Sequence, residues 1–243
     1  MKIIKLSRFA VEQSIQCPRC FVLQYKHKIS LKGLPFTLNS AVDNLCKNEF
    51  DYYRSKGEPH PLFLEHGIKA VPFAHENMDI WRNNFKGAYY LDEDQGFNFG
   101  GAVDDIWQKE NGELILADVK ATSKNLFDWE DTYSKYDYAH AYRRQLEMYQ
   151  WVFRKLGYEV SNEGYLLYFN GLKNEPFFNQ ELKFEKHLIK LDCNDDWVED
   201  AILNARALLV QDQLPDPSSK CDKCNYLKAR WNLSNKSPLK KEI

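Results

Sequence analysis

Two short cysteine pairs constrain this chain most: Cys17-Pro18-Arg19-Cys20 near its start and Cys221-Asp222-Lys223-Cys224 near its end. Four thiolates suffice for a tetrahedral Zn²⁺ or for a [4Fe–4S] cluster. If both pairs serve one site, the two ends of a 243-residue chain must meet, and closing so long a loop stabilises the fold. A metal clip is preferred to a redox role, because neither pair lies in the βαβ context that a redox C-x-x-C wants. Cys46 and Cys193 read as small buried hydrophobes.

The sequence has no apolar run of about 18 residues, and its start lacks the pattern of a signal peptide. A cytoplasmic protein with no membrane partner is therefore expected, and six cysteines there do not suggest a disulfide scaffold. With 44% hydrophobic and 28% charged residues, disorder as the main state is excluded. Lys and Arg number 33 against 35 Asp and Glu, so global charge is silent on nucleic acid and a local basic patch would be needed. No internal repeat is present.

Apolar spacing predicts a helix from 37 to the Gly57 stop and an amphipathic helix over 138–156 closed by Gly157. Runs at 97–108 and 113–121 flank Asn111-Gly112 and predict a hairpin. Further strands are expected over 164–169 and 183–191, a short helix near 78–85, and a final helix over 197–210. Pro18 breaks any single helix through the opening segment, which reads as a capping layer. The expected organisation is one domain over 1–230, with 1–28 and 212–230 as a cysteine cap, then a flexible tail at 231–243.

Acids inside β-runs need a reason. Asp104 and Asp105 interrupt GAVDDIW, and Asp118 interrupts ELILADV two residues before Lys120. A buried carboxylate is costly unless paired or holding a metal, and Mg²⁺ is usually held by one or two carboxylates with waters and phosphate oxygens. Alternation places Asp118 and Lys120 on one face and sends Asp104 and Asp105 opposite ways. The chemistry that fits is metal-assisted phosphodiester hydrolysis, in which a lysine orients water or offsets charge in the transition state. The competing reading makes Asp118 and Lys120 an ion pair and Asp104-Asp105 the start of a turn.

The series Gly101-Ala102-Val103-Asp104-Asp105-Ile106, Asp118-Val119-Lys120 and Gln145-Leu146-Glu147-Met148-Tyr149 resembles the G-x-x-D-x-I, D-x-K and Q-x-x-x-Y motifs of the PD-(D/E)XK nuclease superfamily. It is similar in particular to RecB-type exonuclease domains and CRISPR-adaptation nucleases. The resemblance implies an α/β restriction-endonuclease-like core, a central mixed β-sheet flanked by helices. It implies Asp104 and Asp118 as Mg²⁺ or Mn²⁺ ligands, the Val119 carbonyl as a further ligand and Lys120 as the catalytic lysine. Gln145 and Tyr149, one helical turn apart, would approach the site and the DNA backbone. The first-helix ligand of the family corresponds loosely to Asp43, with Glu49 competing. By the same resemblance, Cys17, Cys20, Cys221 and Cys224 would hold a [4Fe–4S] cluster. Arg230 stands near the usual place of a last cysteine, which keeps Zn²⁺ a rival.

For a strand of nucleic acid, Arg143 and Arg144 adjoin Gln145, and Trp129, Tyr133, Tyr136 and Tyr138 crowd the preceding loop, where such groups contact phosphates and stack on bases. Lys124 reads better as solvated surface. The resulting expectation is a metal-dependent DNA nuclease working on ends or single strands, with repair, recombination or CRISPR-adaptation proteins as partners. The alternative is a non-catalytic DNA-end or partner-binding module of the same fold.

Overall fold

The computed structural model describes residues 2–30, 33 and 37–236. From the N-terminus, strand β1 (Ile4–Ser7) runs into helices α1 (Arg8–Gln16) and α2 (Pro18–Tyr25). Helices α3 (Thr37–Lys56) and α4 (Pro61–Glu65), strand β2 (Ala70–Pro72) and the single turn α5 (Met78–Trp81) follow. Strands β3 (Ala88–Asp92), β4 (Phe97–Gly101), β5 (Asp105–Lys109) and β6 (Leu114–Thr122) lead to helices α6 (Trp129–Lys135) and α7 (Asp137–Lys155). Strands β7 (Val160–Gly171) and β8 (Phe184–Asp192) and helices α8 (Val198–Val210) and α9 (Asp222–Lys236) come last. The chain forms two compact units, Met1–Arg8 with Gly33–Val198, and Phe9–Lys32 with Glu199–Ile243.

In the first unit a five-stranded sheet has the order β2-β5-β6-β7-β8. Only β6 and β7 run parallel in it, so the sheet is mixed. Strand β6 is central, and Leu114 to Ala117 are buried on both faces, which explains its unbroken apolar run. Alternation sends Ile115 and Ala117 toward α3, where they join Cys46, Phe50, Trp107 and Tyr165 in one cluster. The Phe50 and Trp107 rings stack there at 5.8 Å. Burial of each is worth roughly 1.5–3 kcal/mol. Asp118 and Lys120 belong to the opposite register and meet α7, which packs against β6 and β7.

The run predicted as one strand over 97–108 is two strands in different sheets. Phe97–Gly101 pairs with β1 and β3 in a three-stranded sheet, and Asp105–Lys109 pairs with β2 and β6. Glycine at 100 permits the first pairing: a Cβ there would lie 1.9 Å from the Ala88 carbonyl oxygen. Asp104 therefore sits in the bend between the strands and not within one. The Asn111-Gly112 turn forms as expected, with Gly112 at φ 88°. Strand β1 escaped the sequence reading because four residues carry too little alternation to register.

In the second unit α1 and α2 break at Cys17, which caps α2 with extended backbone while Pro18 opens the helix. Helix α9 follows what the sequence predicts as the final helix. Its large side chains Tyr226, Leu227, Trp231 and Leu233 are all exposed, so it carries no buried stripe to betray it. The helix runs through Lys236, where the sequence predicts a mobile end from Trp231. The rest of that predicted tail, 237–243, lies outside the described residues.

Candidate active site

Asp104 and Asp118 come together at the mouth of the β5–β6 pair. The Val119 amide donates to Asp104 Oδ2 at 2.9 Å, which ties the bend to the neighbouring strand. Asp118 is 1% exposed, and Gln145 Nε2 donates to its Oδ1 at 2.5 Å. Lys120 forms an ion pair with Asp118 Oδ2 and donates to Gln145 Oε1 at 3.4 Å. The Lys120 ammonium also lies 4.5 Å from the centre of the Tyr142 ring. Burial pushes the Asp118 carboxyl up to about 7, with Lys120 opposing the shift and the charge of Asp104 adding to it. A cation bound at this point would remove that cost.

The two adjacent acids have separate duties. Asp105 is buried at 2% exposure, and its Oδ1 accepts from Arg54 Nη2 at 2.6 Å and from the Ile106 amide at 2.7 Å. Arg54 also donates through Nε to the Phe73 carbonyl and pairs with Asp51, so it is a three-way anchor from α3. Asp105 is thus occupied in the core, and Asp104 is left for the site.

Asp43 approaches from α3 through Lys47. The Lys47 ammonium lies 2.8 Å from Asp43 Oδ2 and 3.7 Å from Asp104 Oδ1. Asp43 Oδ1 is buried without a hydrogen-bond partner among the described residues, and burial and Asp104 raise its pKa. Glu49, the competing choice, points to His60 Nε2 at 3.3 Å. Lys47 was missed by the sequence reading; its i,i+4 spacing from Asp43 on a helix is the signal that would have found it.

Tyr149 is 4% exposed, and its hydroxyl donates to the Ala102 carbonyl at 2.5 Å, two residues before Asp104. It braces the bend and presents no surface to a DNA backbone. Arg143 is likewise taken up: Nε donates to Glu147 at 2.9 Å and Nη2 to the Asp192 carbonyl at 2.6 Å. Lys124, read as solvated surface, donates to Thr132 Oγ1 at 2.6 Å and lies 5.1 Å from the Tyr136 ring centre. The expected aromatic crowding is present, with Trp129 and Tyr133 at 5.6 Å and Tyr136 and Tyr138 stacked at 5.3 Å.

The sequence profile of the PD-(D/E)XK nuclease superfamily matches residues 54–229, most of the chain. The chain belongs to that superfamily. No curated protein matches it. Solved structures similar to it include SSO0001, at 15% identity over 86% of this chain and 78% of that one with a TM-score of 0.36. An alkaline exonuclease, LHK-Exo from Laribacter hongkongensis, aligns at 10% identity over 96% of this chain and 95% of the other with a TM-score of 0.40. The family assignment rests on the profile match. Nucleases of this superfamily use divalent metals, and the carboxylates of this one suit such an ion: Asp43 offers an orphaned buried oxygen, and the Asp104–Asp118 pair is hard-oxygen chemistry.

The second unit of the nuclease brings its four predicted cysteines together, all four Sγ atoms lying within 4.8 Å of one another. Cys20 is 3.5 Å from Cys224 and 3.6 Å from Cys221, and Cys17 is 3.8 Å from Cys224. Both pairs stand at helix N-termini, α2 and α9, where amides and helix dipole favour thiolates, but burial pushes the Cys20 thiol up and that of Cys224 up to about 11. Burial pushes Cys17 up, but hydrogen bonds at the Cys20 and Ser218 backbone and from Cys221 outweigh it and bring the thiol down to about 7. Cys46 and Cys193 are each 4% exposed, and Cys46 packs in the core cluster. Among the described residues no helix is long and apolar enough to cross a membrane.

Proposed function

We propose that this nuclease is a Mg²⁺- or Mn²⁺-dependent deoxyribonuclease of the RecB-like kind, cutting single strands or DNA ends. The observation that supports this best is the buried Asp118 carboxylate, held beside Asp104 and Lys120 by Gln145. Asp104 and Asp118 would hold the cation with the Val119 carbonyl, and Asp43, now joined to Asp104 through the Lys47 ammonium, would turn an oxygen to it as Lys47 withdraws. When bound, the ion polarises the phosphoryl oxygen and lowers the pKa of the attacking water. Lys120 keeps a positive charge at the reacting phosphate, Gln145 fixes both Asp118 and Lys120, and Tyr149 holds the Ala102 carbonyl so that the bend presents Asp104 correctly.

The test is degradation of end-labelled single- and double-stranded DNA with Mg²⁺, Mn²⁺ or a chelator. A ladder that needs the metal is expected, and its direction gives the polarity. Inactivity of the folded, metal-loaded protein on every substrate would overturn the reading in favour of a binding module.

The cysteine site suits one Zn²⁺. Thiolates at about 2.3 Å from a tetrahedral ion lie about 3.8 Å from each other; three of the sulfur spacings here are 3.5 to 3.8 Å, and all lie within 4.8 Å. A [4Fe–4S] cluster is the rival occupant, and it would hold the thiolates farther apart, with irons and sulfides between them. Protein purified anaerobically is expected to carry one equivalent of zinc, to lack a visible charge-transfer band, and to lose both zinc and thermal stability on Cys20→Ser. Iron with acid-labile sulfide in the purified protein would reverse the assignment.

A further inference from the structure

Immediately beyond Lys120, a cavity of about 280 Å³ opens against Ala121 and Thr122 of β6. Phe127, Tyr138, Tyr142 and Tyr168 line it, together with Lys124 and Thr132. The rings form a connected set: Tyr138 and Tyr142 are 5.5 Å apart, Tyr142 and Tyr168 6.4 Å, and Phe127 and Tyr168 4.8 Å. Tyr168 is 3% exposed, yet its hydroxyl has no hydrogen-bond partner among the described residues. A phenol built only for packing would leave that donor buried at a cost. A ligand bearing an acceptor would remove it once the neighbouring rings part enough to uncover the hydroxyl.

The positions of the cations narrow the ligand. Lys120 stands over the Tyr142 ring on one side. Lys124 and Thr132 are shared with a second cavity of about 350 Å³ that also reaches Lys173. The pattern is an aromatic slot with Lys124 in its wall and the Lys120 ammonium over one of its rings, which matches one nucleotide, a flat base carrying phosphate. At about 280 Å³ the slot lies just below the about 300–1,000 Å³ found for drug-sized ligands, which suits a single base.

We propose that this cavity receives one unpaired nucleobase of the substrate strand, adjacent to the phosphate that Lys120 addresses. The proposal rests on the nuclease reading for that phosphate, but the base slot itself is tested by binding alone. A base can enter only out of its stack, so the slot selects single strands and frayed ends over intact duplex.

The experiment places 2-aminopurine at successive positions of a ten-nucleotide DNA strand and titrates the full chain under chelator, alongside strands with an abasic site at each position. Quenching is expected at one position, and an abasic site there should weaken binding about 5- to 100-fold, the range for loss of one base–aromatic stack. Tyr138→Ala should erase the position dependence. Tyr168→Phe, which keeps the packing, should weaken binding of the intact strand by about 2- to 10-fold and leave the abasic strand unchanged. Position-independent quenching with equal binding of abasic strands would overturn the slot, and cleavage by that same protein would leave the nuclease reading standing. Localised quenching without metal-dependent cleavage would support the slot and remove the nuclease.

Discussion

Lys120→Ala is expected to slow phosphodiester cleavage roughly 10²–10⁴-fold, the range for removing a positioned charge or proton-transfer group from a transition state. The ammonium is held by Asp118, Gln145 and the Tyr142 ring, so it is already ordered before substrate arrives. Asp118→Asn should fall in the same range, and the double variant should be little worse than either, because the two groups act as a unit. Single-turnover rates on end-labelled DNA make the comparison, and a loss below about tenfold in both variants would remove these residues from the chemistry.

A pH dependence follows from the burial of Asp118. With its carboxyl raised to about 7, a proton would compete with the cation proposed to bind there. The Mg²⁺ concentration for half-maximal cleavage should therefore fall as pH rises from about 6 to about 8.

The second large effect concerns the fold. Arg54→Ala leaves the Asp105 carboxylate buried without its guanidinium, and should cost about 3–5 kcal/mol. In a unit of this size that lowers the unfolding temperature by about 10 °C. Arg54→Lys should recover little, since one ammonium cannot serve the Phe73 carbonyl, Asp51 and Asp105 at once. The sign with pH is defined. Burial already raises the Asp105 pKa and Arg54 opposes it, so without Arg54 the group takes up a proton more readily and the penalty shrinks as pH falls. Denaturant unfolding across pH checks this, and a cost below about 1 kcal/mol at neutral pH would mean that Asp105 is carried as the neutral acid.

The candidate site was legible through the family motifs. The D-x-K pair and the Gln145–Tyr149 turn are local patterns, and alternation on a strand and the period of a helix suffice to place them on facing elements. The helices over 37–56 and 137–155 announced themselves by periodicity and glycine stops. The roles of Arg143 and Tyr149 were not legible, because their partners Asp192 and Ala102 are more than 40 residues away along the chain. Lys47 was overlooked because its second carboxylate, Asp104, comes from a strand bend far along the chain.

From the sequence alone came the family motifs, the two cysteine pairs and the two helices that frame the sheet, all set by covalent spacing and by the periods of regular structure. Only the tertiary structure decided how 97–108 divides between two sheets, that Asp105 belongs to Arg54 while Asp104 faces Asp118, and how closely the four sulfurs approach. These are questions of which distant group meets a buried charge or fills a space, and they are answered by long-range packing, where the cost of an unpaired buried charge selects one arrangement.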